Sequence, residues 1–444
     1  MEVGFLVCFI MAILTQELVE EFCEIPENRE GLIYVEDIDA FLMYQEGQGY
    51  HKLLSTRQLK KMIYNFAKRK AKSIGHAQVK DIIFGITMSC FKEIKDLPKR
   101  YIALEDKLLD LKTFEFKDFD KKRIAYHRIT CKSEDLSMPI PVFTNYLNQV
   151  LIDEDGNPDP ELIAVVQEMF GFYLIEDKRA EAFFFLYGEG SNGKSVMLNV
   201  LEDMVGSDYT SHVDIESITS NRFASSTLVG KKMNIVREEE SRYIRIDKLK
   251  TFISGEPVMM ERKNEGMFSY VPSTKFIFST NKLPSFQGID YALKRRLNFI
   301  PFLRRFEPHE KDHTLGAKLW DELPGILQWA IEGAKRLIAN NFAFTKSIQM
   351  EDFMMRFENA VSSPRQFIHD CYVEDEKCFI TNDELYAHYK EWCLTNGRKT
   401  VSSNTFIEEL KQVTKSDMQW IKEDKKNRRG KRLKLKKFDS YGET

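Results

Sequence analysis

Phe183-Phe-Phe-Leu-Tyr-Gly188-Glu-Gly-Ser-Asn-Gly-Lys194-Ser195 is the stretch on which the reading of this chain turns. Its first five residues form a solid apolar run, which predicts a strand buried on both faces. The next eight satisfy G-x-x-x-x-G-K-[ST] at every fixed position, and a helical stretch, Val196–Met204, follows. The spacing has a physical reason. Glycines let the backbone curl until successive N–H groups point at one spot, and the helix behind presents its positive end there, which suits a phosphate. Gly188, Glu189, Gly190, Ser191, Asn192, Gly193, Lys194 and Ser195 are therefore expected to cradle ATP. Lys194 would reach the β- and γ-phosphates, and the Ser195 hydroxyl would complete the coordination of Mg²⁺. A glycine-rich turn without function would need neither the strand before it nor the helix after it.

Further apolar runs follow at Met233–Val236, Phe276–Ser279 and Leu297–Phe302, separated by helical stretches. Short buried strands alternating with helices predict an α/β core with a parallel sheet, spanning about 160–335. Pro160–Ile175, with Leu162, Val165, Val166 and Met169 at helical spacing, is expected as a core helix at its start. The residues just past these strands carry the chemistry. Glu238, Glu239 and Glu240 end the second strand. Of these, Glu238 and Glu239 are the expected catalytic acids, with Glu238 also near the metal and its water shell. Asn281 after the third strand can orient a water at the γ-phosphate, although Asn before Leu283-Pro284 is also good turn chemistry. Arg295 and Arg296 before the fourth suit an arginine finger, against the plain alternative of a surface salt-bridge pair.

The flanks are less specific. At 444 residues about three domains are expected. The net charge of −3 conceals a strong asymmetry: residues 1–50 hold eleven acids and one base, whereas Lys422–Lys437 holds ten bases in sixteen residues. That basic run is a solvated tail or a nucleic-acid contact. The cysteines are odd in number and scattered, which suggests reduced thiols, and Cys371, Cys378 and Cys393 with His369 and His388 fit no zinc spacing. Val3–Leu14 is too short to span a bilayer and has no basic flank. We expect Met11 to be the true start, with a buried helix start as the alternative, and no membrane segment. Leu32–Leu54 suggests a hairpin around Gly47 and Gly49, Ser55–Lys72 a basic amphipathic helix, and Tyr101–Arg128 short strands. After about Lys335 the strands are expected to stop. Helices follow at Glu384–Asn396 and Ser403–Val413, then a strand–basic turn–strand over Met418–Phe438 centred on Asn427–Lys431.

Taken together, Gly188–Ser195, Asn234–Glu239, Asp247–Lys263, Phe276–Asn281 and Ala292–Phe302 occur in the order found in superfamily-3 helicases. The chain resembles the helicase half of phage and plasmid primase–helicases, a family that includes the poxvirus nucleoside triphosphatase–primase. Asn221-Arg-Phe223, Leu228-Val-Gly-Lys231 and Ile253-Ser-Gly-Glu256 also resemble it, and the resemblance covers roughly Asp37 to Phe438. It implies an AAA+-like core forming a ring, expected as a hexamer, that translocates on single-stranded DNA with 3′→5′ polarity and meets forked duplex DNA. It implies Arg296 as the finger, with Arg295 beside it, and puts Lys263, next to Arg262, on a hairpin facing the central channel. Arg237 departs from the family, where an acid or small polar residue is common. The resemblance also implies a mixed α+β N-terminal part, read as a region at 1–100 and a pre-helicase domain at 101–159. A winged helix at 345–444 would complete the chain, with Arg428, Arg429, Lys431 and Arg432 at the wing tip on DNA phosphates. No primase site is visible, so priming would fall to a separate primase or polymerase, and the host cytosol is the expected location. A phosphate-loop kinase of a small metabolite and a DNA-binding regulator assembled by ATP are the alternatives. Stimulation of hydrolysis by single-stranded DNA separates the first from the helicase, and the effect of replacing Lys263 separates the second.

Overall fold

The computed structural model describes residues 2–89, 92–239, 246–262, 266–282, 291–375, 377–398, 400–414, 419–423 and 426–435. The chain divides into two compact units. One takes in Met1–Glu240, Asp247–Lys282 and Arg296–Ser347, and the other Ser241–Ile246, Leu283–Arg295 and Ile348–Thr444. The regions expected at 1–100, 101–159 and 160–335 thus share the first unit for most of their length.

The centre of the first unit is a five-stranded parallel sheet. Its order is Thr210–Ser211, Met233–Val236, Lys275–Thr280, Phe183–Tyr187, Leu297–Pro301. The earliest strand of the sheet therefore lies inside it, between the two latest. The strands are uninterrupted apolar runs because helices cover both faces, and Phe183, Phe184, Phe185, Phe276 and Phe278 are fully buried. Phe185 stacks on Phe278 at 4.9 Å between centroids.

The Pro160–Leu174 helix packs along Leu323–Ala339. A Cβ on Gly171 would collide with the Ala334 backbone, and one on Gly333 with the Gln167 carbonyl, so reciprocal glycines set how close the two helices come. The carboxyl end of Pro160–Leu174 is capped by buried lysines. Lys232 Nζ donates to Leu174 O at 3.0 Å and pairs with Glu176 at 2.7 Å. Lys275 donates to the Phe172 and Ile175 carbonyls and lies over the Phe172 ring, 4.0 Å from its centroid. The orphan carbonyls of a helix end thus receive cations. Burial pushes the Lys275 ammonium down to about 7, and Glu176 opposes the shift.

Ahead of the core lie two small four-stranded sheets. The first orders Tyr50–Leu54, Ala40–Gln45, Leu32–Val35, Glu93–Ile94, so the expected hairpin is its Ala40–Leu54 portion. The helix Thr56–Arg69 starts at a Ser55–Gln58 capping box and buries Leu59, Ile63 and Phe66 against Phe22 and Ile82. The second sheet joins Tyr101–Ala103, Leu108–Asp110, Glu115–Lys117 and His127–Arg128. The apolar run at Val3–Leu14 is part of a helix, Glu2–Glu24, that packs on His76–Ser89. The side chains of its residues 2–11, Met11 included, lie outside the description. Among the described residues no helix is long and apolar enough to cross a membrane.

The second unit packs Ser363–Cys371, Asn382–Thr395 and Ser403–Val413 around Phe367, Tyr389, Phe406 and Leu410. Two expectations are corrected here. Strands do not stop after Lys335: Tyr372–Glu374 pairs with Leu433–Leu435, and Ile380–Thr381 with Lys426–Lys431. Nor is Asn427–Arg432 a turn. Lys426–Lys431 is a strand paired with Gln419–Glu423, with Glu423 opposite Lys426. Gly430 serves close strand approach instead, since a Cβ there would meet the Ile380 carbonyl. Lys431 is 2 % exposed, so it is no wing-tip cation.

Candidate nucleotide site

Parallel strands open their carboxyl ends on the same side, and ligands bind where the order of connection switches. Register fixes the neighbours. Thr280 lies opposite Tyr187, so Asn281 emerges beside Gly188, and Val236 lies opposite Phe278, so Glu238 emerges one strand farther out. The loop then turns into the helix Lys194–Val205 through Gly193, whose φ is 91°. A side chain at Gly193 would also press on Val150, with Cβ 2.8 Å from Cγ1.

Lys194 is buried under this loop. Its Nζ donates to Gly188 O at 2.5 Å, Asn192 Oδ1 at 2.9 Å and Asn281 Oδ1 at 3.1 Å. Burial lowers its pKa and the Glu238 carboxylate pushes it back up, so Lys194, Asn281 and Glu238 form one electrostatic cluster at the sheet edge. Ser195 is exposed on the first helical turn, beside the loop amides.

The structure separates Glu238 from Glu239. Glu238 is exposed on the cluster. Glu239 is 7 % exposed, and its Oε2 accepts from Ile215 N at 3.3 Å, where the helix Ile215–Ser220 begins. Its carboxylate meets that helix end, whereas Glu238 acts on Lys194. Arg237 turns back to the phosphate-loop helix, donating to Asn199 Oδ1 and Glu202 Oε2, each at 2.5 Å.

The arginines are separated too. Arg296 is buried, with Nη2 2.7 Å from Glu181 and 2.9 Å from Ser254 Oγ. It precedes Leu297, which lies opposite Phe183, so it stands at the far end of the sheet from its own phosphate loop. Arg295 is exposed. Arg262, expected at the channel, donates to Ile38 O at 2.7 Å and lies 4.7 Å from the Phe268 centroid. It follows one strand of the antiparallel hairpin Val258–Glu261 and Met267–Tyr270, and the tip with Lys263 lies outside the described residues.

Sequence reasoning missed the walls of the loop. Tyr146 OH donates to Gly193 O at 2.9 Å, Lys311 Nζ to Ser191 Oγ at 3.0 Å, and Phe306 N to Ser191 O at 2.7 Å. These residues are remote from the loop in sequence. The available signal was the helical spacing of Phe143, Leu147 and Val150, which leaves 142, 145 and 149 on another side. Among the described residues no cluster of three or more His, Cys, Asp or Glu could hold a metal. The oxygen donors Ser195 and Glu238 fit Mg²⁺, which takes few protein ligands and several from phosphate and water.

Residues 186–296 match a family of unknown function, DUF5906, and residues 365–442 match a family described as poxvirus D5 protein-like. A protein of Acanthamoeba polyphaga mimivirus, named "Putative helicase L207/L206", is 24% identical over 297 residues. That match covers 58% of this chain and 30% of the mimivirus protein, so the chain spans under a third of its relative. Apo structures of the NrS-1 C-terminal region superpose with TM-scores of 0.48 and 0.46 at 13% identity, covering 90% and 91% of this chain and 95% and 96% of theirs. The chain is thus similar to poxvirus D5-like proteins over residues 365–442 and, over 58% of its length, to a viral protein named a putative helicase.

Proposed function

We propose that this chain is an ATP-hydrolysing replicative DNA helicase of the superfamily-3 type, with an AAA+-like core and a C-terminal winged helix. The observation that carries the reading is the convergence of Lys194, Asn281 and Glu238 on one loop at the carboxyl edge of a parallel sheet. The loop amides bind the phosphates of ATP, and Lys194 neutralises charge on the β- and γ-oxygens. Ser195 and Glu238 hold Mg²⁺, which supplies charge neutralisation when bound. Glu238 accepts the proton of the attacking water, and Asn281 aligns that water. Glu239 keeps the end of its strand in register with Ser279.

Arg295 is the finger in this reading. It is the exposed member of the pair, and it acts on the nucleotide of a neighbouring copy in a hexameric ring. Lys263 on the hairpin tip and Arg428, Arg429 and Arg432 in the second unit contact phosphates of single-stranded or forked DNA without reading sequence. Priming belongs to a separate primase or polymerase, and the protein works in the host cytosol.

The test is ATP hydrolysis by the full chain with and without single-stranded DNA. Lys194→Ala should lower the stimulated rate by roughly 10³-fold. Arg295→Ala subunits mixed into wild type should depress activity more steeply than dilution. Normal turnover by Lys194→Ala, or a linear mixing curve, would reject the corresponding assignment.

A further inference from the structure

A cleft of about 670 Å³ runs alongside the phosphate loop, with Ser191 and Gly193 on its inner margin. One wall is the Pro141–Val150 helix, which presents Val142, Asn145 and Gln149; the other is the segment from Phe306 to Lys318. Both walls are fastened to the loop itself, by Tyr146 OH on Gly193 O and by Phe306 N and Lys311 Nζ on Ser191. A ligand that holds its phosphates on the loop therefore has walls of fixed spacing beside it. The Phe306 ring lines the cleft and is backed by the Arg304 guanidinium at 4.5 Å, which pairs with Glu310 at 2.9 Å. Asn145 and Gln149 are four residues apart on one helix, so their carboxamides share a face. Each offers donors and an acceptor, the complement of a heterocycle edge.

We infer that this cleft takes the base and ribose of a purine nucleoside triphosphate. Phe306 is the stacking surface, and Asn145 and Gln149 read the edge of the base. The volume lies in the range of small-molecule sites and exceeds what a nucleoside fills. The consequence is that nucleotide choice resides in a helix ahead of the phosphate-loop core. This inference rests on the nucleotide reading of the loop given above.

Calorimetry on the full chain with Mg²⁺ separates the two, using ATP, CTP and inorganic tripolyphosphate as ligands. ATP should bind more tightly than CTP. Phe306→Ala should weaken ATP by roughly tenfold, the loss expected for one base–aromatic stack, and leave tripolyphosphate unchanged. The Asn145→Ala/Gln149→Ala double variant should close the gap between ATP and CTP. Suppose Lys194→Ala weakens both ATP and tripolyphosphate while the cleft variants change neither, or weaken both alike. The base site is then wrong and the phosphate loop stands. Lys194→Ala without effect on either ligand removes the loop reading, and the base site with it.

Discussion

The Gly188–Ser195 loop and the Lys426–Lys431 strand both combine glycine with buried lysine, and they use the combination in opposite ways. In the loop, Gly190 and Gly193 take φ of 107° and 91°, and the backbone folds around Lys194 so that its ammonium meets oxygens at the sheet edge. In the strand, Gly430 lies under the Ile380 carbonyl and lets two strands approach, while Lys431 is enclosed within a domain of its own. The first lysine is buried toward a place where charge can be delivered. The second is buried within the packing of a small sheet. Composition does not separate the two cases; the direction in which the backbone presents the side chain does.

That contrast can be broken at several points. The largest stability effect should come at the strand. Gly430→Ala forces the Ile380 backbone aside and should cost about 3 kcal/mol in urea unfolding of the second unit; an unchanged midpoint would mean the close approach is absent. Lys275 extends the comparison to a lysine buried for structure in the first unit. Burial lowers its folded pKa to about 7, against about 10.4 for an unfolded lysine, so the unfolded chain binds more protons between these values. Stability should therefore rise with pH across that window, on the order of 1–2 kcal/mol between pH 7 and 9. Lys275→Met should flatten the rise, and an identical slope in the variant would refute the assignment. Smallest is the effect at Arg428 and Arg429. Replacing each by Gln should reduce the slope of log affinity for DNA against log salt by about 0.7–0.9, and an unaltered slope would take both off the phosphate backbone.

These cases also mark what sequence reasoning could and could not reach. The apolar runs gave each strand of the core except Thr210–Ser211, which is too short to carry a periodic signal. The loop was legible because its spacing encodes backbone geometry, and Asn281 because it follows a strand whose register is set by burial. The burial of Glu239 and Arg296 beside exposed neighbours was not legible, for one reason. Adjacent residues at a strand end point to opposite sides, so in Glu238-Glu239 and in Arg295-Arg296 one member faces solvent and the other the interior. A charge count cannot choose between neighbours. The partner of Arg262 was hidden in the same way, since it comes from a remote segment: Ile38 lies more than two hundred residues from Arg262.

Arg237 has one more implication. Its fork fastens the root of the Glu238 strand end to Asn199 and Glu202, on the same helix that starts at Lys194. Acid and ammonium therefore ride on a common chassis, and a push on one is felt by the other without passing through the nucleotide. Arg237 would in that case act as a stiffener, setting how much play there is between the loop that encloses Lys194 and the strand end that carries Glu238.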